Sequence, residues 1–229
     1  MAVSELAGRV ASVRQRIAAA AERAGRDPAS VRLIAVTKGV DAPLVEGVIA
    51  CGVGDVGENR VLEAEVKRAA VGAAAVWHLI GHLQTNKARR AAALFDAVHS
   101  VDSERIARAL AMLRPHDSDP LALLLEVDLT GIPGRTGVGE DEAEALVRLV
   151  IGLPAVHLLG LMTIAPAAGD PEDVRPVFAR LRGLRDRLEA VTGWPLPELS
   201  MGMSADFEVA VEEGATMVRV GRALFAPYP

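Results

Sequence analysis

Short apolar segments separated by segments of helical pattern constrain the fold of this 229-residue chain more than any other feature. The predicted strands are 31–37, 53–57, 76–80, 97–100, 121–127, 156–162, 197–200 and 216–220. The predicted helices that alternate with them are 42–51, 59–70, 86–94, 103–113, 139–152, 171–191 and 204–213. Strands that alternate with helices pair in parallel through right-handed crossovers. About eight such units predict an α/β fold in the form of one closed (β/α)8 barrel of the TIM type.

An extra helix precedes the first strand, because apolar residues recur at helical spacing between positions 6 and 17. Ser4 is its expected N-cap and Gly25 its expected stop. The alternative to a barrel is an open doubly wound sheet, which would carry a G-x-G-x-x-G loop after its first strand. Residues 37–39 read Thr-Lys-Gly at that place. No segment resembles a linker, so we expect a single domain over residues 1–229.

Composition excludes several classes of function. The net charge of −5 gives no indication of nucleic acid as a partner. Cys51 is the only cysteine, which rules out an internal disulfide and favours a reducing compartment. No apolar run reaches roughly 18 residues and the first residues already have an amphipathic pattern, so we expect neither a membrane span nor a secretion signal. The histidines show no metal-ligand spacing. These features predict a cytoplasmic protein without a metal.

Lys38 follows the first predicted strand, at the end where (β/α) barrels carry their active sites. The chain has two other lysines, Lys67 and Lys87, and both fall in helical charge patterns. A desolvated amine at such a strand end can lose its proton and form a Schiff base with a carbonyl compound. Taken alone, a lysine at a strand end more often simply emerges into solvent.

Two loops near the end of the sequence have the character of a phosphate site. Residues 199–206 read Leu-Ser-Met-Gly-Met-Ser-Ala-Asp, and Ser204 is a good N-cap for the helix that follows. The last strand is followed by Gly221 and Arg222 at another helical start. Loops after the seventh and eighth barrel strands often bind phosphate. The alternative interpretation is an ordinary capped helix beside a flexible pair of methionines.

Arg219 interrupts an otherwise apolar strand, Thr-Met-Val-Arg-Val at 216–220. Barrel strands are covered on both faces, so a buried guanidinium there is costly without a partner. The partner is either a structural carboxylate or a bound ligand, and both possibilities stay open at this point.

Six segments now carry a resemblance to a known family. They are AVTK at 35–38, GEN at 57–59, WHLIGHLQTNK at 77–87, GLMT at 160–163, LSMGMSAD at 199–206 and VRVG at 218–221. In these segments the chain resembles the YggS/PROSC family, the pyridoxal phosphate homeostasis proteins. The segments run in order from the first strand to the last, so the resemblance covers essentially the whole chain.

The resemblance implies a barrel like the N-terminal domain of bacterial alanine racemase and pyridoxal 5′-phosphate as the cofactor. The cofactor-binding residues it implies are Lys38, Asn59, Met201, Ser204, Arg219, Gly221 and Arg222. Lys38 would hold the cofactor as a Schiff base, and Arg219 would lie close to its pyridine nitrogen. Ser204 and the amides near Gly221 and Arg222 would contact the phosphate. The implied role is to buffer or deliver the cofactor, with cofactor-dependent apoenzymes as partners, and we expect a monomer.

The chain departs from the family pattern in three places. Arg60 stands where the family usually has an aromatic residue, and Leu62 where it usually has glutamine. Arg222 replaces a threonine or serine, which removes one hydroxyl from the implied phosphate site. The loop 130–137 lacks the usual acidic and lysine residues. His82 and Gln84 lie in a matching segment, and we expect them to cap the next helix rather than to approach the cofactor.

The same residues argue against strong catalysis. An arginine beside the pyridine nitrogen is permanently charged and cannot protonate that nitrogen to strengthen it as an electron sink. No partner base is evident opposite Lys38, because the only tyrosine is Tyr228. We therefore expect a carrier. The alternatives are a weak amino-acid racemase on the same cofactor, a cofactor-free Schiff-base aldolase, and a structural partner protein.

Overall fold

The computed structural model describes residues 3–72, 74–115 and 117–226, with Val3 described by its backbone alone. Its strands are β1 Arg32–Val36, β2 Asp55–Glu58, β3 Val76–Leu79, β4 Ala97–Val101, β5 Leu121–Glu126, β6 Val156–Met162, β7 Glu198–Ser200 and β8 Met217–Val220. They form one closed barrel in chain order, and β8 pairs in parallel with β1. The predicted (β/α)8 barrel and its eight strands are therefore confirmed.

One helix precedes β1, and the others lie between the strands or after the last one. They are α1 Val3–Arg23, α2 Ala42–Ala50, α3 Val61–Val71, α4 Ala88–Leu94, α5 Glu104–Leu113, α6 Ala143–Ile151, α7 Arg175–Thr192, α8 Phe207–Glu212 and α9 Arg222–Phe225. The extra helix before β1 is confirmed, and Gly25 follows its end at a φ of +67°. Ser4 is not its N-cap, because Val3 is already helical. The predicted start of α7 at 171 was too early, since Pro171–Val174 is a 3₁₀ turn.

Helix α1 packs against α8 and α9, the two helices that follow the seventh and eighth strands. Its apolar face, represented by Leu6, Val10 and Val13, is buried. Arg16 adds a paired contact, because its Nε and Nη2 donate to the carboxylate of Glu208 at 2.6 and 2.9 Å. The extra helix therefore braces the part of the barrel that carries the two candidate phosphate loops.

The barrel interior holds a small apolar cluster separate from the main core. Its members are Ile34, Leu124, Met162 and Met217. Alternate residues of a barrel strand point inward, so Arg219, two positions after Met217, also faces the interior. Interiors of this class are usually filled by branched apolar side chains, whereas here part of the filling is polar. Among the described helices, none is both long enough and apolar enough to cross a membrane.

Candidate functional site

The site residues predicted from the sequence come from strands that are neighbours around the closed barrel. Lys38 follows β1, Asn59 follows β2, Met201 and Ser204 follow β7, and Arg219, Gly221 and Arg222 lie in or after β8. The order β7, β8, β1, β2 is continuous, because β8 pairs with β1. All strands are parallel, so their carboxyl ends share one face. The structure thus gathers these residues at one sector of that face.

Arg219 is buried without a carboxylate partner among the described residues. Its Nη1 donates to Oγ of Ser200 at 2.7 Å, and its Nη2 donates to the carbonyl oxygen of Thr163 at 2.8 Å. Burial lowers the pKa of Arg219 to about 10, although the charges of Glu126 and Asp206 act in the opposite direction. The guanidinium is therefore still charged at neutral pH. Its positive charge has no bonded counter-ion in the described chain, which favours a ligand over a structural carboxylate as its partner.

Ser204 does not cap the following helix, contrary to the sequence prediction. Helix α8 begins at Phe207, with Asp206 at the N-cap position. The Ser204 hydroxyl instead accepts hydrogen bonds from the amides of Gly221 and Ala223, each at 3.3 Å. The Ser204 hydroxyl, which follows β7, and two backbone N–H groups, which follow β8, therefore converge on one point. Such a cluster suits the oxygens of a phosphate group.

Two glycines allow these loops to approach each other. A Cβ atom on Gly221 would lie 3.2 Å from the carbonyl oxygen of Val36, so the loop after β8 passes close to the end of β1. Gly202 has a φ of +91°, and a Cβ atom there would lie 2.6 Å from that of Ala210. Position 202 is restricted to glycine by close contact and by backbone conformation, whereas a Cβ atom at position 221 would only require its neighbours to move by a few tenths of an ångström.

The side chain of Lys38 is exposed, and it forms no hydrogen bond or ion pair within the described chain. The amine is therefore solvated, as is usual for a lysine at a strand end, rather than desolvated. Arg222 is exposed as well. Both groups are free to meet a ligand at the mouth of the barrel.

Lys67 is the functional feature that sequence reasoning missed. The sequence places it in a helical charge pattern, but its side chain is buried. Its Nζ donates to the carbonyl oxygen of Thr37 at 2.5 Å, to Oε1 of Glu58 at 2.7 Å and to Oε1 of Glu63 at 2.6 Å. A signal was present in the sequence, because position 67 continues the buried stripe of α3 that Val61 and Ala64 begin.

This cluster fixes the backbone on both sides of Lys38. The hydroxyl of Thr37 donates to Oε1 of Glu58 at 2.5 Å, and the amide of Gly39 donates to Oε1 of Glu63 at 2.6 Å. Burial raises the pKa of Glu58, and its hydrogen bonds with Lys67 and Thr37 offset only part of that rise. Burial alone would raise the pKa of Glu63, but hydrogen bonds from Lys67 and the Gly39 amide lower it overall. The backbone on both sides of Lys38 is thus held in place by hydrogen bonds to Glu63 and Lys67.

Asn59 borders the site on its other side. Its Oδ1 is buried and has no hydrogen-bond partner among the described residues. The backbone of Asn59 packs tightly on the next loop, since a Cβ atom on Gly81 would lie 2.5 Å from its carbonyl oxygen. A cavity of 740 Å³ opens beside it and is lined in part by Arg60, His82 and Lys87. An unsatisfied buried oxygen at this place is available to a ligand.

The remaining predicted contacts have mixed outcomes. Met201 is fully buried in the main core, and its amide donates to the carbonyl oxygen of Met217 at 3.1 Å, so its contact with a cofactor stays a prediction. His82 does not cap a helix, because its Nδ1 lies 3.1 Å from Oδ2 of Asp102. Gln84 precedes the short 3₁₀ turn Thr85–Lys87, but its side chain makes no capping hydrogen bond. The capping prediction was therefore wrong for both. Tyr228 lies outside the described residues.

Comparison with known proteins identifies the family. The family model of the alanine racemase N-terminal domain matches residues 9–229. A protein of Aquifex aeolicus named pyridoxal phosphate homeostasis protein is 41% identical over 218 residues, which cover 95% of this chain and 96% of that protein. A protein of the same name from Escherichia coli K12 is 35% identical over 231 residues, covering 97% of both.

Solved structures show the same likeness. PipY of Synechococcus elongatus, determined with pyridoxal phosphate bound, is 37% identical, and the match has a TM-score of 0.85 and covers 96% of this chain and 100% of PipY. Alanine racemase of Corynebacterium glutamicum is 19% identical with a TM-score of 0.73, covering 97% of this chain and 61% of the racemase, and it shows the shared fold alone. The chain belongs to the family of the pyridoxal phosphate homeostasis proteins, built on the barrel of the alanine racemase N-terminal domain.

Proposed function

We propose that this protein binds pyridoxal 5′-phosphate, holds it reversibly on Lys38, and buffers or delivers it in the cytoplasm. The observation that carries the proposal is Arg219, a buried guanidinium that is still charged and has no carboxylate partner in the described chain. It lies one residue before the strand end that brings Gly221 to Ser204. The partners we propose are apoenzymes that need this cofactor, and we propose that the protein acts as a monomer.

The polar groups at the mouth of the barrel fit the three functional groups of this cofactor. Ser204 and the amides of Gly221 and Ala223 would hold the phosphate, with additional charge from Arg222 in place of a hydroxyl. Arg219 would donate to the pyridine nitrogen, which is a hydrogen-bond acceptor. When bound, pyridoxal phosphate supplies an aldehyde that condenses with an amine and a ring that withdraws electrons. A sugar phosphate would fill the phosphate site but would leave Arg219 without a role.

The exposure of Lys38 favours reversible capture over catalysis. Its amine forms an imine bond with an aldehyde and releases water, and water reverses the same step. Since Lys38 is open to solvent, water is available for both directions. Asn59 and the phosphate-binding groups would supply the affinity by keeping the aldehyde close to the amine. Arg219 is charged at neutral pH, and it would hold the ring nitrogen as a hydrogen-bond acceptor rather than protonate it.

The test is a titration of the purified protein with pyridoxal phosphate, followed by absorbance, borohydride reduction and peptide mass mapping. The chain has only three lysines, at positions 38, 67 and 87, so the attachment site is unambiguous. We expect an absorbance band near the visible edge and a reduced adduct on Lys38 alone. A protein that takes up no cofactor, or an adduct confined to Lys87, would overturn the proposal.

Two further measurements separate the carrier from the enzymes with the same lysine. Exchange of the α-proton of amino acids in deuterated water, at a rate above that with free cofactor, would indicate a racemase. Borohydride trapping of a sugar phosphate in the absence of cofactor would indicate an aldolase. A carrier gives neither result.

Arg219→Met should separate ligand binding from stability. Arg219 has no ion-pair partner among the described residues, but its removal takes the donor from the Ser200 hydroxyl and from the Thr163 carbonyl oxygen, so we expect the free energy of unfolding without ligand to fall by about 2 kcal/mol. A lost charge-assisted hydrogen bond should weaken cofactor binding about ten- to a hundredfold. Equilibrium dialysis and denaturant unfolding measure the two quantities. The matched control is Arg32→Met, which removes a guanidinium paired with Glu198 at the amino end of the barrel and should leave affinity unchanged.

A further inference from the structure

A continuous chain of hydrogen bonds runs through the barrel interior to Arg219. Asp55, at the start of β2, lies 2.9 Å from Nε2 of His78, and Nδ1 of His78 lies 2.9 Å from Nε2 of His99. Nδ1 of His99 lies 2.8 Å from Oγ of Ser200, which accepts from Arg219 at 2.7 Å. Of the five residues linked by these hydrogen bonds, only Asp55 is partly open to solvent, with its side chain 21% exposed. The other four are buried: His78, His99, Ser200 and Arg219. The chain thus links the amino end of the barrel to the proposed site.

From Ser200 to Asp55, each residue of this hydrogen-bond chain donates to the next one. Arg219 can only donate, so the Ser200 oxygen accepts and its own hydrogen is left for Nδ1 of His99. Burial above all, assisted by the charges of Arg219 and Arg32, holds the pKa of His99 well below its usual range, so that its ring is neutral. The single ring proton of His99 is therefore on Nε2.

The remaining two links follow from that tautomer. Nε2–H of His99 donates to Nδ1 of His78, and Nε2–H of His78 donates to the carboxylate of Asp55. The opposite direction would place the lone pair of His78 Nε2 against the Asp55 carboxylate, unless His78 gained a second proton. With neutral rings, one arrangement alone satisfies every link, and Asp55 terminates it as an acceptor.

The need to hold Arg219 explains why the other polar residues of this hydrogen-bond chain are present in the barrel interior. A barrel interior of this class is normally filled by apolar side chains, and the neighbouring cluster of Ile34, Leu124 and Met162 follows that rule. Two fully or nearly fully buried histidines are costly unless each nitrogen is satisfied. The hydrogen-bond chain satisfies all four ring nitrogens of the two histidines. At its end, the hydroxyl oxygen of Ser200 directs a lone pair at the guanidinium of Arg219.

We infer that His99 is a positioning residue of the cofactor site, which acts through Ser200 to orient Arg219 toward the ring nitrogen of the ligand. His78 and Asp55 fix the tautomer of His99 that this requires. The inference rests on the proposed function and names three residues, Asp55, His78 and His99, that lie outside the predicted set of cofactor contacts. None of the three would touch the cofactor.

The test compares His99→Asn with His99→Leu in the full chain titrated with pyridoxal phosphate. The Oδ1 atom of asparagine can occupy the place of Nδ1 and accept from Ser200, whereas leucine leaves the hydroxyl without that acceptor. Both variants leave Nδ1 of His78 without its donor, so both should lose stability. We expect His99→Leu to bind the cofactor about tenfold more weakly or worse, and His99→Asn to stay within about threefold of wild type.

The spectroscopic readout is the absorbance band of the bound cofactor followed from pH 6 to pH 9. A displaced guanidinium changes the hydrogen bond to the ring nitrogen, so the band and its pH profile should shift in His99→Leu and Ser200→Ala. They should stay unchanged in His99→Asn and in Leu124→Ala, a control that disturbs the interior apolar cluster alone.

The outcomes distinguish this inference from the proposed function. If the wild-type protein takes up no cofactor, the proposed function fails. If wild type binds normally and His99→Leu matches it in both affinity and spectrum, the histidine chain is structural only and the inference fails. Equal losses in His99→Asn and His99→Leu would also refute it, because affinity would then follow stability. Nitrogen-15 spectra provide a check that does not depend on binding, since His99 must carry its proton on Nε2.

Discussion

Lys38→Ala should abolish borohydride-stable attachment of pyridoxal phosphate while leaving the fold intact. The side chain is exposed and forms no bond within the described residues, so we expect the free energy of unfolding to change by no more than about 0.5 kcal/mol. Neither remaining lysine can replace it. Lys67 is buried with three acceptors on its ammonium group, and Lys87 lies in the 3₁₀ turn Thr85–Lys87 after β3, two strands around the barrel from Lys38.

Intact-protein mass after borohydride treatment measures the loss, and equilibrium dialysis measures the binding that remains. Lys38→Arg is the informative companion, because it keeps the positive charge but cannot form an imine. We expect both variants to retain weak binding through the phosphate-binding groups. Lys87→Ala is the control and should be labelled like wild type. A reduced adduct on Lys38→Ala at wild-type yield would show that attachment occurs elsewhere.

Lys67→Met should destabilise the protein by about 3–5 kcal/mol, the usual cost of removing one partner from a buried ion pair. It leaves the carboxylates of Glu58 and Glu63 facing each other without their shared cation. It also leaves the carbonyl oxygen of Thr37, directly before Lys38, without its donor. We therefore expect weaker capture of the cofactor as a secondary effect. Denaturant unfolding measures the main effect, and Lys87→Met is the matched surface control.

The loss of stability should depend on pH. Burial already raises the pKa of Glu58, and loss of Lys67 should raise it further. A carboxyl whose pKa is higher in the folded state binds more protons there than in the unfolded chain, so stability falls as pH rises above the unfolded value of about 4.3. The deficit of Lys67→Met should thus be smaller at pH 5 than at pH 8. The double variant Lys67→Met/Glu58→Gln should recover part of the loss. A deficit independent of pH would show that the buried charge is not its cause.

The strands, and the positions of Lys38 and Arg219 relative to them, could be predicted because their signals are local. The run from 33 to 37 is apolar apart from Thr37, and Lys38 follows it directly, whereas Arg219 is the one charge within the apolar run 217–220. Ser204 was placed correctly but given the wrong partner. Local patterns suggest an N-cap, whereas in the folded chain the amides of Gly221 and Ala223 reach its hydroxyl from another strand.

The histidine chain could not be predicted, because it depends on register. His78 pairs with Gly57 on one side and with Ala97 on the other, which places His99 two residues further along β4. A shift of one residue in either pairing would turn a ring out of the barrel and break the chain. Lys67 was missed for a related reason. Its i, i+4 spacing with Glu63 resembles a surface ion pair, and only the tertiary fold shows that Glu58 and the end of β1 lie beneath it.

The pairing of β8 with β1 has a consequence for the order of events during synthesis. Lys38 is made before Arg219, Gly221 and Ala223, which lie in or after the last strand of the barrel. A nascent chain that lacks β8 has the amine of Lys38 but neither the guanidinium of Arg219 nor the amides proposed to bind phosphate. Pyridoxal phosphate would therefore bind it weakly and stabilise it little. Once β8 pairs with β1 and closes the barrel at this seam, a ligand that contacts residues of both strands would stabilise this pairing. Vitamin B6 supply would then act on the kinetic persistence of the folded protein, because opening the seam requires the ligand to leave first.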